Sequence, residues 1–390
     1  PKPQTPNPKP PRNLLQLYKM RQLVPVIKTY EWGSKSIDNH VARLGKSNDS
    51  NLPFAEAWLG THPSGTSKDL KTGKEIEGKL SFLLKALEIE KCLSLQIHPN
   101  EAQAEVLRKA DPEHYPDSFP KPELVVALSE MKAFFGFTTY KEFEERLGHL
   151  PSFGPMLLSF LPKEFKQMET DSLKIKAVCE FISFAEQEVI SKLLLVLEND
   201  LSLDSSFDRS ENLKILASQF PGDRGIILSL LLNLITINKG EALAVPANVP
   251  HAYFSGSAVE CMAASDNVIR LGLTPKFRDV KNFLELADFE PHKVEKAAKK
   301  VLKSEGGLSL CSFEAGFDKY FVLSVIEGEG VGSIEVAPQG TCLGFNLGGS
   351  VDVLGEKLER DSCFGLFEKV TFTNELKENT LIFIAGNIQA

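Results

Sequence analysis

From Leu23 onward, hydrophobic positions fall into short runs such as LVPVI at 23–27, CLSLQIH at 92–98 and ELVVAL at 123–128. Gly, Pro and Asn separate these runs, and that spacing predicts a β-sandwich or barrel. After Phe137 the period changes. TTYKEFEERLGHL and PKEFKQMETDSLKIKAVCEFISFAEQEVISKLLLVLEND carry apolar residues at helical intervals, which predicts a helical insertion over 138–220. PGDRG at 221–225 ends it, and IILSLLLNLITINKGEALAVP reads as a short helix followed by strands that rejoin the first sheet. One β domain, 23–137 plus 221–296, is thus interrupted by a helical one. From about Ala297 the texture is β again, with YFVLSVIEGEG, GSIEVAP, CLGFNLGG and TLIFIAG divided by glycine turns. The stretch 297–390 reads as a second β-sandwich, and having no histidine it is not expected to carry chemistry of its own. Residues 1–22 are proline-rich and cannot bury a core, which predicts a disordered extension, with Met20 the expected natural start.

Composition narrows the function classes. At 390 residues and 42% hydrophobic content, the chain exceeds what one core usually serves. The net charge of -8 comes from interspersed acids and bases, which argues against a nucleic-acid surface and requires a local basic pocket for any phosphorylated substrate. The six cysteines form no C-x-x-C pair, so neither a disulfide framework nor a thiolate zinc cluster is expected. No apolar run approaches the roughly 20 residues of a membrane helix, and the proline-rich start lacks the apolar core of a signal peptide. A cytoplasmic, monomeric protein without nucleic-acid or membrane partners is the expectation.

Chemistry concentrates in three segments. Gln96 and His98 lie two apart within a strand pattern and project to one face. Glu123 opens a later strand, and His251 follows Pro250 in a strand-turn-strand context. Two imidazoles, a carboxylate and an amide oxygen suit Zn²⁺ with an open coordination position, although Mn²⁺ or Co²⁺ is chemically admissible. The plainer alternative is a pair of core histidines satisfied by hydrogen bonds. Gly240, Pro246 and His251 keep the cupin pattern G-x5-P-x-G-x-x-H, with Asn248 at its second glycine, a residue that tolerates the left-handed conformation. Gln96 replaces the first histidine of the cupin H-x-H.

That replacement points to a narrower family. YEWG, PFAEAWLGTHPSG, LSLQIHPNEAQAE, FPKPELVVAL, FFGF and VPHAYFSGSAVECMAASDNVIRLGLTPKFRDV resemble, in order, the blocks of the type I mannose-6-phosphate isomerases between residues 30 and 280. Glu31 stands where the family carries alanine, and the terminal β region is similar only in texture. The resemblance implies two cupin-type double-stranded β-helix (jelly-roll) domains with an inserted α-helical domain. It implies one Zn²⁺ per chain on Gln96, His98, Glu123 and His251, an essential Arg270, and Ser94 and Lys276 near the sugar phosphate. The implied activity interconverts mannose 6-phosphate and fructose 6-phosphate, feeding GDP-mannose synthesis and mannose catabolism.

Such an aldose-ketose isomerisation passes through an enediol, so the site must supply a base and stabilise an enediolate. Arg270, permanently charged and forked, suits the second task, against the bland reading of a surface salt bridge. Lys121 sits two residues from Glu123, and Ser94 shares the strand face of Gln96 and His98. Glu260 and Glu56 are candidates to shape the pocket or shuttle a proton. The base itself stays open among Glu260, a metal-bound water, Asp266 and His62, and Trp58 and His62 of WLGTHP either line the pocket or pack. The rival readings are a non-catalytic metal-binding cupin, against which Arg270 and Lys121 count, and a cupin oxygenase, against which Gln96 counts.

Overall fold

Strand alternation decides which residues of this chain meet. The computed structural model describes residues 19–203, 206–376 and 378–389, and its elements are mainly β. The first β unit is organised around the long strand His251–Ala263. Its first half pairs with Met131–Phe137, and its second half lies between Phe82–Ile89 and Glu123–Ala127. The change of partner occurs near Gly256, whose φ is +117° and where a Cβ would meet Glu130 O and Met131 Cα at 2.8 Å, so only glycine fits there.

Alternate residues of these strands enter different cores. Leu87, Val125, Ala127, Ala133, Leu243, Tyr253 and Ala258 fill the interior of the unit. Leu84, Leu124, Val126 and Cys261 face the other way, into a core shared with Phe313, Leu323, Phe345 and Phe383 of the C-terminal region. Leu95, Ile97, Ala252, Ile269 and Leu271 pack beneath the helices on Phe143, Ile175, Val178 and Leu193. Each fully buried Leu or Phe contributes roughly 1.5–3 kcal/mol over exposure, so the three layers hold one another in place.

Between residues 140 and 219 the elements are helical. Tyr140–Gly148 starts at a capping box between Thr139 and Glu142, and Asp171–Phe184 is capped by Thr170. A short helix, Gly225–Leu228, then leads into the strand Leu232–Ile237, which pairs with Met131–Phe137. The C-terminal region supplies six strands of an eight-stranded sheet and all of a five-stranded one, packed around Leu310, Ile326, Ile334, Phe364, Phe372 and Ile384. Among the described residues no helix is long and apolar enough to cross a membrane. All six cysteines are buried free thiols.

One boundary differs from expectation. Residues 1–18 of the expected extension lie outside the described residues, but Met20–Val24 is a strand. It pairs with Ser362–Leu366 of the C-terminal sheet and with Lys68–Asp69, burying Met20 and Leu23. The extension assigned through residue 22 is therefore too long. Local composition offers Met20 no core, but a sheet edge more than 300 residues away supplies one.

Candidate active site and metal centre

The interior of the first β unit is apolar at one end and charged at the other. Leu87, Val125, Ala127 and Ala258 occupy the apolar end, while Lys85, Glu123 and Glu260, on the same faces of the same strands, occupy the charged one. Register lines up two rows. His251, Gln96 and Arg270 are direct cross-strand neighbours, as are Glu260, Lys85 and Trp58. The rows border a cavity of about 780 Å³ that exposes Gln96, Lys121, Glu123, Glu260, Arg270 and Lys276 on its wall.

At its base, ligand atoms of His98, Glu123 and His251 lie within 4.8 Å of one another, and all three residues are buried. Asn248, at φ +68°, makes the turn before His251 as the motif requires, and its N–H donates to the His98 carbonyl at 2.8 Å. His98 Nδ1 is 2.9 Å from the Asn267 carbonyl and His251 Nδ1 is 2.9 Å from the Val249 carbonyl. A carbonyl only accepts, so both Nδ1 atoms carry the proton and both Nε2 atoms present lone pairs. These face Glu123, whose oxygens are 3.2 Å from His98 Nε2 and 3.8 Å from His251 Nε2. His98 Nε2 has no hydrogen-bond partner. Three convergent electron-pair donors without a proton between them fit a divalent cation, and neutral imidazoles with a carboxylate fit Zn²⁺.

The protonation states agree with that fit. Burial, reinforced by the Lys121 charge, pushes His98 down to about 3 and so keeps it neutral, and burial lowers His251 likewise. Glu123 is pushed up by burial, but the Lys121 charge outweighs this and holds it well below the usual carboxylate range. Lys121 Nζ donates to Glu123 Oε1, and Tyr253 donates to Oε2 at 3.0 Å. Gln96 joins the cluster with its amide 3.3 Å from His251 Nε2, and Ser94 Oγ is 2.8 Å from its oxygen. A half-turn of the amide exchanges two isosteric atoms, aiming Oε1 at the imidazoles while Ser94 accepts from the NH₂.

Above this cluster Glu260 Oε2 lies 2.9 Å from Lys85 Nζ, both nearly inaccessible to solvent. Burial works against the lysine charge, but Glu260, Glu56 and Glu123 outweigh it and keep Lys85 cationic. Burial and the nearby Glu123 charge lift Glu260 above its ordinary value. Lys85 also lies 5.5 Å from the Trp58 ring centre, and the Trp58 N–H donates to Glu56. His62 packs edge-on to Trp58 at 5.2 Å and lies 3.3 Å from Asp266 Oδ2, a hydrogen bond that lowers the Asp266 carboxyl. Arg270 is half-buried on the wall, while Lys276 stands exposed at the mouth, 5.8 Å from the Tyr30 ring centre.

Residues 20–73 and 69–140 match the family model described as phosphomannose isomerase type I, catalytic domain. The chain is 34% identical over 305 residues to the mannose-6-phosphate isomerase of Bos taurus, covering 68% of this chain and 72% of that protein. The Homo sapiens mannose-6-phosphate isomerase is 34% identical over 304 residues, with the same coverage. This chain belongs to the type I phosphomannose isomerase family. It is an enzyme of that family, an isomerase, and its fold is also that of solved members. The apo mannose 6-phosphate isomerase of Salmonella typhimurium superposes with a TM-score of 0.81 over 95% of this chain and 99% of that one, at 24% identity. A mannose 6-phosphate isomerase bound with zinc and yttrium superposes with a TM-score of 0.80 at 25% identity and the same coverage.

In this phosphomannose isomerase family member, the expected residues Ser94, Gln96, Lys121, Glu123, Glu260, Arg270 and Lys276 all border one cavity, with His98 and His251 behind its wall. Lys85, Tyr253 and the Asn267 carbonyl were not anticipated. Lys85 had a signal, since it is the lone cation in FLLKALEI, a buried strand that is apolar apart from it and Glu88, where a buried charge needs a partner. The Asn267 contact uses a backbone atom and has no side-chain signature.

Proposed function

We propose that this chain interconverts D-mannose 6-phosphate and D-fructose 6-phosphate with one Zn²⁺ held by Gln96, His98, Glu123 and His251. The observation that carries the reading is the buried, unpartnered His98 Nε2 converging with His251 Nε2 on Glu123. We further read both β regions as cupin-type double-stranded β-helix domains, with residues 138–220 inserted into the first. The buried free thiols fit a reducing compartment, which favours the cytoplasm.

When bound, zinc supplies Lewis acidity toward the sugar oxygens. The remaining work falls to side chains. A base takes the C2 proton of the open-chain aldose, the electron pair forms the C1–C2 double bond, and negative charge gathers on O1. The O2 hydroxyl proton passes to O1, and as the O2 electron pair forms the C2 carbonyl the proton taken from C2 is returned to C1, which completes the ketose. Glu260 suits the proton transfer best, because it stands on the cavity wall with its carboxyl raised above the ordinary value by burial and Glu123, whereas the His62 hydrogen bond lowers that of Asp266. Lys85 holds Glu260 in place, and Arg270, beside Gln96 in the register, neutralises the developing oxyanion in a partly desolvated setting. Lys276 and Ser94 receive the phosphate end, Lys276 supplying a local cation that a chain of net charge -8 requires.

Removing the metal with a chelator should abolish isomerisation of mannose 6-phosphate, and added zinc should restore it. Full activity in protein shown to be metal-free by elemental analysis would refute the assignment.

A further inference from the structure

We infer that Asp117 is a positioning residue for the metal centre, acting through the backbone carbonyl that orients His98; this rests on the zinc reading above. The carbonyl belongs to Asn267, in the link between the strands His251–Ala263 and Ile269–Gly272. A carbonyl in a connecting segment is a soft anchor unless something holds that segment.

Asp117 holds it at three consecutive residues. Its Oδ1 accepts from the Ser265 hydroxyl at 2.9 Å and from Asn267 Nδ2 at 3.0 Å, and its Oδ2 accepts from the Asp266 N–H at 2.9 Å. The Asp117 carbonyl accepts from Asn267 Nδ2 at 2.9 Å, and the Phe119 carbonyl lies 3.0 Å from the Ser265 hydroxyl and 2.9 Å from Asn267 Nδ2. Ser265 and Asn267 are buried. A carboxylate offers about four acceptor sites, and here it meets four donors, the fourth being the Phe119 N–H, 2.9 Å from Oδ1. An asparagine in its place would keep one acceptor oxygen but turn an NH₂ toward another donor.

The consequence reaches both sides of the site. Asp117 precedes Lys121 and Glu123 in one segment, and the clamped link leads directly to Arg270 in the other. One carboxylate thereby ties the approach to a metal ligand to the loop that orients a second ligand and presents the arginine. Partners that orient ligands from outside the coordination sphere typically change metal affinity 10–100-fold when removed.

The test is zinc affinity of the full chain, by competition with a chromophoric chelator, with melting curves of zinc-free and zinc-loaded protein. Asp117→Ala should weaken zinc binding about 10–100-fold and shrink the zinc-induced rise in Tm to match, with Asp117→Asn changed in the same direction but less. Asn346→Ala is the control. Asn346 Nδ2 reaches the carbonyls of Gly349, Leu358 and Glu359 at 2.9–3.1 Å in the C-terminal unit, so its loss should lower Tm and leave zinc affinity alone. Folded Asp117→Ala that binds zinc like wild type overturns the positioning role while leaving the ligand assignment standing. Wild type that binds no zinc overturns both. If Asp117→Ala does not fold, unchanged affinity in Asp117→Asn is the overturning result.

Discussion

The two β regions fill their interiors by the same alternation, yet with opposite chemistry. In the C-terminal unit the inward positions are mostly apolar, as at Leu310, Ile326, Ile334, Phe364, Phe372 and Ile384, and the polar residues buried there, Ser324, Asn346, Asn374 and Thr380, are uncharged. In the first unit half of the interior follows that rule through Leu87, Val125 and Ala258, and the other half places Lys85, Glu123, His251 and Glu260 where such residues would stand. Burying those charges costs stability unless each finds a partner, and here Lys85 meets Glu260 while Lys121 meets Glu123. The imidazoles stay neutral, and no protein donor satisfies the lone pair of His98 Nε2. What separates a scaffold from a site in this molecule is therefore whether one end of an inward strand face carries charged side chains.

The comparison is sharpest at Arg270. Arg270→Ala should lower kcat on the order of 10²-fold or more while KM moves less, because the guanidinium acts on charge that develops in the transition state. Arg270→Lys should rescue little, since an ammonium cannot reproduce a planar fork. Zinc content and Tm should stay near wild type in both. Steady-state kinetics beside metal analysis checks this, and near-normal kcat in a zinc-loaded Arg270→Ala protein would remove the assigned role.

Equal destabilisation with unequal function would separate the two interiors. Lys85→Met leaves Glu260 buried without its partner and should cost about 3–5 kcal/mol, together with most of the activity. Phe372→Ala opens a cavity in the C-terminal core and should cost a similar 3–5 kcal/mol or so, with zinc content and the kinetics of the folded fraction unchanged. Denaturant unfolding paired with kinetics distinguishes them. Loss of zinc binding in folded Phe372→Ala would show that the interiors are coupled.

Acid provides a further contrast. Burial holds His98 at about 3, well below its unfolded value near 6.5, so the unfolded chain binds the proton first as pH falls. Stability of the metal-free protein that is fully present above about pH 6.5 should be lost progressively toward pH 3. His40, held at about 4 by burial and then by Arg43, titrates in the same window outside the metal site. The His98→Gln variant should flatten the slope only by the His98 share. An identical slope in metal-free wild type and His98→Gln would contradict a neutral His98. The smallest effect belongs to Asn248, whose left-handed backbone makes Asn248→Ala cost about 1–2 kcal/mol and Asn248→Gly almost nothing, as melting would report.

Part of this site was legible because its chemistry is local. Gln96 and His98 share a face by their spacing of two, and Asn248 marked a left-handed turn that glycine usually makes. The Lys85–Glu260 pair was not legible, because partners 175 positions apart meet only through the register of two antiparallel strands. Residues 20–22 were placed in the extension for a related reason: the partner of Met20 in the sheet is Leu366, far along the chain. The helical segment was readable from its period because helical contacts are local, whereas the core shared by the two β units depends on faces that alternate without saying what covers them.

The most direct measurement is X-ray absorption at the zinc edge on the purified chain and on His98→Ala. The expected result for wild type is one zinc per chain in a shell of nitrogen and oxygen only, with Zn–N near 2.0–2.1 Å and the outer scattering of two imidazoles. His98→Ala should lose that zinc or show one imidazole fewer. A sulfur shell near 2.3 Å, no zinc at all, or a shell unchanged in His98→Ala would contradict the assignment of the polar interior as a metal centre.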